Sequence, residues 1–200
     1  MTEPALPEAI QALVDKQAIY EVVLRGCRGG DRFDLEMILS VFHDGAQLHN
    51  VAGFNGSCED LRAFLAPIRA SFAGGPATYH MLGNHFVELN GDRAVSESYV
   101  MVHHWGQSSS SNPADETAAQ AFADNNYTAG TRYIDKFERR AGEWRIVERW
   151  AVRDWTWTHR GRGTISPGPN DGPPGKLSPD DTIYSVTRDW LGSPTSVTVV

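Results

Sequence analysis

The tightest constraint on this chain lies in its second half, where apolar and polar residues alternate with a period of two over four long segments. Residues 78–89 and 93–105 read as two strands joined across Asn90-Gly91-Asp92, and residues 127–139 and 143–157 repeat the pattern across Ala141-Gly142. An Asn-Gly pair, or a glycine after a small residue, supplies the positive-φ positions that tight hairpin turns require. Strands with one apolar face need a cover, and an isolated hairpin is marginal in water. The cover must come from elsewhere in the chain.

It is present in the first 76 residues, where the apolar period is close to 3.6. The spacing of Ile10, Leu13, Val14, Tyr20 and Leu24 predicts a helix over residues 7–28, with Pro7 suited to its first turn and Gly29-Gly30 ending it. A second helix is expected over 34–41, with Asp34 as N-cap and Leu35, Ile38 and Leu39 on its apolar side. Residues 46–51 read as a brief strand. Ser57 can cap a third helix carrying Leu61, Phe64, Leu65, Ile68 and Phe72, ended by Gly74-Gly75-Pro76. Helices first and long antiparallel strands afterwards predict an α+β fold: three N-terminal helices packed in a strongly curved antiparallel sheet, a cone open at one end.

Two segments fall outside this pattern. Residues 106–126 are too rich in Ser and Asn for a strand and predict a long loop, a candidate lid, with one helical turn over 116–122. After Trp157 the composition turns to Gly and Pro, and residues 180–192 hold one or two helical turns. The organisation expected is one domain over residues 1–157 and an extension over 158–200. The extension should pack over the sheet, the cone's mouth or a neighbouring subunit, because Ile183, Tyr184, Trp190 and Leu191 form a large apolar set.

Composition removes several classes of function. A net charge of −7, with no run of Lys or Arg, argues against nucleic acid or an anionic membrane as partner. No stretch of about 18 apolar residues occurs, and the acidic start lacks the basic character of a signal peptide, so a cytoplasmic location is expected. Cys27 and Cys58 read as free thiols. The seven histidines form no HxH, HxxxH or HExxH, and the neighbours His103 and His104 face opposite sides of a strand, so no metal site is expected. Trp144, Trp150, Trp155 and Trp157 crowd the last hairpin beyond what the helices can cover. A homodimer or homotrimer is therefore expected.

Polar residues that interrupt apolar faces are the candidates for chemistry. His80 shares a period-two face with Leu82, Asn84 and Phe86, and Arg149 one with Val147, Ala151 and Arg153. On the first helix Tyr20, Leu24 and Cys27 lie on one line that Asp31 would continue if the helix ran one turn further. Each has a bland alternative. Asp31 after Gly-Gly is ordinarily a turn or cap residue, His80 a satisfied core histidine, and Arg149 the partner of Asp135 across the hairpin.

The segments GGDRFDLEMILSVFHDGA, TYHMLGNHFVELNGDRAVSESYV and GTRYIDKFERRAGEWRIVERWAVRDW together resemble the SnoaL-like branch of the nuclear transport factor 2-like superfamily over residues 10–157. The resemblance implies an α+β cone. Within the superfamily the sequence is most similar to the scytalone dehydratase and hexachlorocyclohexane dehydrochlorinase group, which implies a His-Asp dyad for elimination. Residue by residue, the dyad aspartate falls on Asp31, the basic histidine on His80 and the late arginine on Arg149. One position departs: the tyrosine that precedes the dyad aspartate in scytalone dehydratase is Gly30 here, and Tyr20, Tyr133 or His104 could take its role. The implied activity is a cofactor-independent lyase expelling water, halide or an aldehyde from a hydrophobic, aromatic small molecule. Tyr20, Leu24, Asn84, His104 and Tyr133 are the expected substrate contacts. A non-catalytic binding protein of the same fold, or an isomerase or epoxide hydrolase, is the alternative.

Overall fold

The computed structural model describes residues 7–72, 78–104, 125–160 and 180–191. Helix α1 (Glu8–Arg32) is followed by α2 (Leu35–Ser40), strands β1 (Phe42–Val51) and β2 (Phe54–Ser57), and α3 (Cys58–Phe72). Four long strands then follow, β3 (Tyr79–Asn90), β4 (Arg93–His104), β5 (Asn125–Arg140) and β6 (Glu143–Arg160), and a last helix, α4 (Thr182–Leu191). The loop expected over 106–126 lies almost wholly outside the described residues, and its helical turn entirely so.

One six-stranded sheet results, in the order β2-β1-β6-β5-β4-β3. The α+β reading with three helices ahead of the long strands is the architecture observed, but one pairing differs. β1 runs parallel to β6, with Leu48 opposite Arg149, so the sheet is mixed at that seam. The inner face packs Ala94, Val100 and Val102 of β4, Phe137 of β5 and Trp144 and Ile146 of β6 against Ile19, Val22, Val23 and Cys27 of α1 and Leu61 and Leu65 of α3. All of these are buried, and removing their apolar surface from water, at about 25 cal/mol per Å², is the main force closing the sheet around α1.

Helix ends follow local chemistry. The Asp34 carboxylate accepts the Met37 N–H at 3.0 Å, capping α2, and the Ser57 hydroxyl accepts the Asp60 N–H at the start of α3. The Gly29-Gly30 pair does not end α1 as expected. The helix continues to Arg32 and stops at Phe33, whose left-handed φ of 51° brings its N–H to the carbonyls of Gly29 and Gly30. The two glycines serve close approach instead: a Cβ on Gly29 would stand 2.9 Å from the Ile38 backbone nitrogen, and one on Gly30 would stand 3.1 Å from the His80 ring.

The hairpins form where turn chemistry places them. In the second, Ala141 and Gly142 both take positive φ, 53° and 85°. In the first the loop is Gly91-Asp92, and Asn90 remains in the ladder opposite Arg93. Bulges alter the faces. Residues 83 and 84 of β3 together oppose Tyr99, so beyond Leu82 the inward set becomes His85, Val87 and Leu89. Asn84 and Phe86 therefore do not share the face of His80, contrary to the period-two reading, and both are exposed. Val147 is likewise the extra residue between Ile146 and Glu148 on β6, which removes it from the face of Arg149.

Helix α4 forms where residues 180–192 predict it. Tyr184 alone of its apolar set is buried, with Arg28 over its ring, and Asp181 pairs with Arg32, so α4 docks at the α1–α2 corner. Trp190 is 86% exposed and Leu191 66%; the turns present just one side to the domain. Of the hairpin tryptophans, Trp144 is in the core and Trp150 stacks on His49, while Trp155 and Trp157 stay exposed on the outer face near Tyr79, Met81 and Met101. Among the described residues no helix is long and apolar enough to cross a membrane.

Candidate active site

A cavity of about 410 Å³ opens between the helices and the inner face of the sheet. Its wall is mostly apolar, with Val41, Phe42, Leu61, Leu65, Val102 and Ala129 contributing, and its polar members are few and convergent. Two are histidines, His80 and His104, and two are arginines, Arg149 and Arg153. Among the described residues no aspartate or glutamate borders it.

His80 enters from the start of β3, before the bulge, and its ring lies so close to α1 that a Cβ at position 30 would stand 3.1 Å from it and force it to shift. The Asp31 carboxylate accepts a hydrogen bond from His80 Nδ1 at 2.8 Å, with both side chains largely buried. The extra helical turn makes this possible, because it carries Asp31 onto the face toward β3. With Nδ1–H held by the carboxylate, the tautomer is set and Nε2 remains as the basic nitrogen. Asp31 itself stands behind the imidazole and outside the cavity wall.

His104, at the end of β4, meets His80 edge to face with ring centres 5.7 Å apart. Burial, with the charges of His80, His103 and Arg153 adding to it, pushes its pKa down to about 3. His104 is therefore a neutral imidazole across the working range, a hydrogen-bonding group and not a cation. Its neighbour His103 turns the other way and pairs with the Thr128 hydroxyl at 2.7 Å.

Arg149 satisfies both of its sequence readings. Its Nε and Nη2 each donate to the Asp135 carboxylate at 2.7 Å, the fork expected from their opposed positions in the β5–β6 ladder, and it also borders the cavity. Burial works against the charge, but Asp135 outweighs it and keeps the guanidinium protonated. The guanidinium carbon stands 4.4 Å from the centre of the Tyr133 ring. Burial, ahead of nearby charges, raises the Tyr133 phenol above its ordinary value, and the Cys27 thiol beside it is pushed up to about 12, so neither is an anion at neutral pH.

The structure thus brings together Asp31, His80, Arg149, His104 and Tyr133. It does not bring in the other three expected contacts. Tyr20 packs on the His85 ring at 5.2 Å, away from the cavity wall, and Leu24 is 38% exposed. Both lie on the helical line that ends at Asp31, but a line three turns long reaches past the cavity. Asn84 is turned out by the β3 bulge. Arg153 and Thr131 are wall residues that sequence reasoning did not select. The face shared by Arg149, Ala151 and Arg153 was the available signal for the first.

Residues 11–150 match the model of the SnoaL-like domain. No curated protein matches the sequence at a significant level. Solved structures are similar in fold. One is a protein from Novosphingobium aromaticivorans named for scytalone dehydratase, 16% identical, with 77% of this chain and 93% of that one covered at a TM-score of 0.60. A hexachlorocyclohexane dehydrochlorinase, LinA-type3, from Novosphingobium barchaimii is 17% identical, covering 80% and 100% of the two chains at a TM-score of 0.60. A protein of unknown function with a cystatin-like fold from Nostoc punctiforme is 24% identical, over 70% and 92%, at 0.51.

Proposed function

The chain belongs to the SnoaL-like family, and from that premise we propose that it is a cofactor-independent lyase in which His80 is the general base. The observation that carries the reading is the 2.8 Å hydrogen bond from His80 to Asp31 at the wall of an apolar cavity. A carboxylate behind an imidazole fixes its tautomer and orientation and balances the charge of the imidazolium that forms on proton transfer. His80 Nε2 takes a proton from a substrate carbon, the C–H electron pair becomes the new double bond, and the group on the adjacent carbon leaves with its bonding pair, as halide ion or as hydroxide that takes the proton back from the imidazolium and departs as water. In the retro-aldol variant Nε2 takes the hydroxyl proton, the C–C bond breaks and an aldehyde departs. Arg149 stabilises the developing enolate, phenolate or leaving anion more strongly in an apolar cavity than it would in water. His104 and Tyr133 supply neutral hydrogen bonds that orient a carbonyl or hydroxyl. The fold neighbours named for a dehydratase and a dehydrochlorinase support elimination as the reaction class.

Epoxide hydrolysis fits less well, because it needs carboxylates around a water, and among the described residues the two acids near the cavity stand behind other side chains, Asp31 behind His80 and Asp135 behind Arg149. A binding protein of the same fold would have no use for the dyad. The test is a panel of cyclic β-hydroxy ketones, chlorinated cyclohexanes and hydroxymethyl-bearing diaryl compounds, read by mass spectrometry for loss of water, chloride or formaldehyde. On any substrate turned over, His80→Ala should lower kcat by about 10²–10⁴ with KM little changed, and Asp31→Asn should reproduce much of that loss. Full turnover by His80→Ala would show that His80 is not the base, and turnover of nothing in the panel, with binding retained, would favour the binding protein.

A further inference from the structure

Helix α1 holds three glycines, and packing within the protein explains two of them. At Gly29 a Cβ would stand 2.9 Å from the Ile38 backbone nitrogen, and at Gly30 one would stand 3.1 Å from the His80 ring. Gly26 is different. A Cβ there would meet Arg149 Nη1 and the two Val41 methyls at 3.7 to 3.8 Å, which is ordinary contact, and Gly26 is not among the glycines with positive φ. Alanine would fit, and it would favour the helix interior. What glycine leaves instead is a bare stretch of backbone on the cavity wall, which Gly26 borders together with Val41 and Arg149.

The polar atom nearest that stretch is a donor. Arg149 is 5% exposed and gives Nε and Nη2 to Asp135, and among the described residues its Nη1 has no hydrogen-bond partner. Gly26 and Gly30 lie four residues apart on one face of α1, which sets their Cβ positions about 5–6 Å apart. Arg149 Nη1 is 3.7 Å from the first position and His80 Nε2 is 3.6 Å from the second. Guanidinium and imidazole therefore stand over neighbouring turns of one helix.

We propose that Gly26 determines specificity: a flat, oxygen-bearing ring of the substrate lies face-on against α1 at Gly26, and its oxygen accepts a hydrogen bond from Arg149 Nη1. The proposal rests on the reading of this cavity as the substrate site but not on His80 being a base. A planar ring meets a bare stretch of backbone at van der Waals distance over its whole face, whereas a puckered ring touches it at a few atoms, and such contacts are small singly and large together. A methyl group added at Gly26 would stand inside that contact layer and lift the ring from the wall. The oxygen orients the ring, because a buried donor is left unsatisfied when carbon takes the acceptor's place. With the ring so held, the part of the substrate that lies one turn further along α1 is the part that meets His80.

The experiment uses three probes of nearly equal size: 2-naphthol, trans-decahydro-2-naphthol, which keeps the hydroxyl and loses the flatness, and 2-methylnaphthalene, which keeps the flatness and loses the oxygen. Binding to the whole protein is measured by calorimetry. Wild type should bind 2-naphthol about tenfold or more tighter than either analogue. Gly26→Ala should weaken 2-naphthol about tenfold or more, while the affinity for the saturated alcohol changes little and the melting temperature holds or rises. In isotopically labelled wild type, 2-naphthol should shift the Gly26 amide resonance through its ring current. Binding of either analogue as tightly as 2-naphthol, unchanged 2-naphthol affinity in Gly26→Ala, equal loss of the two alcohols, a lower melting temperature in that variant, an unmoved Gly26 resonance, or binding of no probe up to its solubility limit would each overturn the proposal. Its failure is separable from that of the lyase reading. A Gly26→Ala variant that binds 2-naphthol like wild type, beside an inactive His80→Ala, removes the ring seat and keeps the base, whereas lost 2-naphthol binding beside a fully active His80→Ala keeps the ring seat and removes the base.

Discussion

Asp15 and Asp31 sit on the same helix, sixteen residues and so about 24 Å apart, and they are used in opposite ways. At the narrow end of the cone, one oxygen of Asp15 accepts from Arg139 at 2.8 Å, Trp144 Nε1 at 3.0 Å and Gln11 at 3.1 Å. That carboxylate ties α1 to the turn end of the β5–β6 hairpin and satisfies the indole of a tryptophan that is 95% hidden. At the open end, Asp31 receives one side-chain donor among the described residues, His80, and the histidine faces a cavity. A carboxylate saturated by fixed donors holds structure together. One that leaves its partner a second, unoccupied nitrogen is arranged for proton transfer. Arg149 and Asp135 lie between the two, sealed like the first and bordering the cavity like the second.

That intermediate pair gives the largest expected effect. Asp135→Ala leaves a guanidinium buried without its counter-charge, and should cost about 3–5 kcal/mol of stability, measured as the shift in urea midpoint at constant m. A loss below about 1 kcal/mol would mean that water reaches Arg149, and would move the pair to the open end of the comparison.

The two aspartates should then separate cleanly. Asp15→Ala strands the buried Trp144 N–H and should cost about 2–3 kcal/mol, whereas Asp31→Ala should cost about 1 kcal/mol or less, its partner being able to turn to water in the cavity. Equal losses in urea unfolding would break the contrast between a structural and a chemical acid.

A smaller, pH-dependent effect is expected at the open end. His104 has a folded pKa near 3 against 6.5 in the unfolded chain. The unfolded state therefore binds the extra proton between those values, and the stability is fully present above about pH 6.5 and lost as pH falls toward 3. By pH 5 the loss should approach about 2 kcal/mol at most, and His104→Gln should flatten that part of the stability–pH curve. An unchanged slope in the variant would show that His104 is charged, or solvated, in the folded protein.

Much of the fold was legible because local physics wrote it. Asp34 and Ser57 cap the helices they precede, Ala141-Gly142 turns the hairpin it separates, and residues 180–192 form a helix in the stretch their spacing predicts. The family motifs likewise led to Asp31, His80 and Arg149. Errors arose where one residue changes the count. A bulge at 83–84 shifts a period-two face by one, so Asn84 and Phe86 turned outward while His80 and Leu82 did not.

By itself, then, the sequence determined the elements, their caps and turns, the α+β layering and the identity of the candidate dyad, since these rest on short-range spacing and residue chemistry. Tertiary structure decided the rest. Gly29-Gly30 looks like a helix stop, but the close seats of Ile38 and His80 against those glycines are packing facts, and the helix runs through them to deliver Asp31. The parallel β1–β6 seam, the outward turn of Trp190 and the bordering of one cavity by residues of α1, α3 and five strands depend on which distant segments meet. No local pattern encodes that, because the free energy that selects it comes from burying surfaces far apart in the chain.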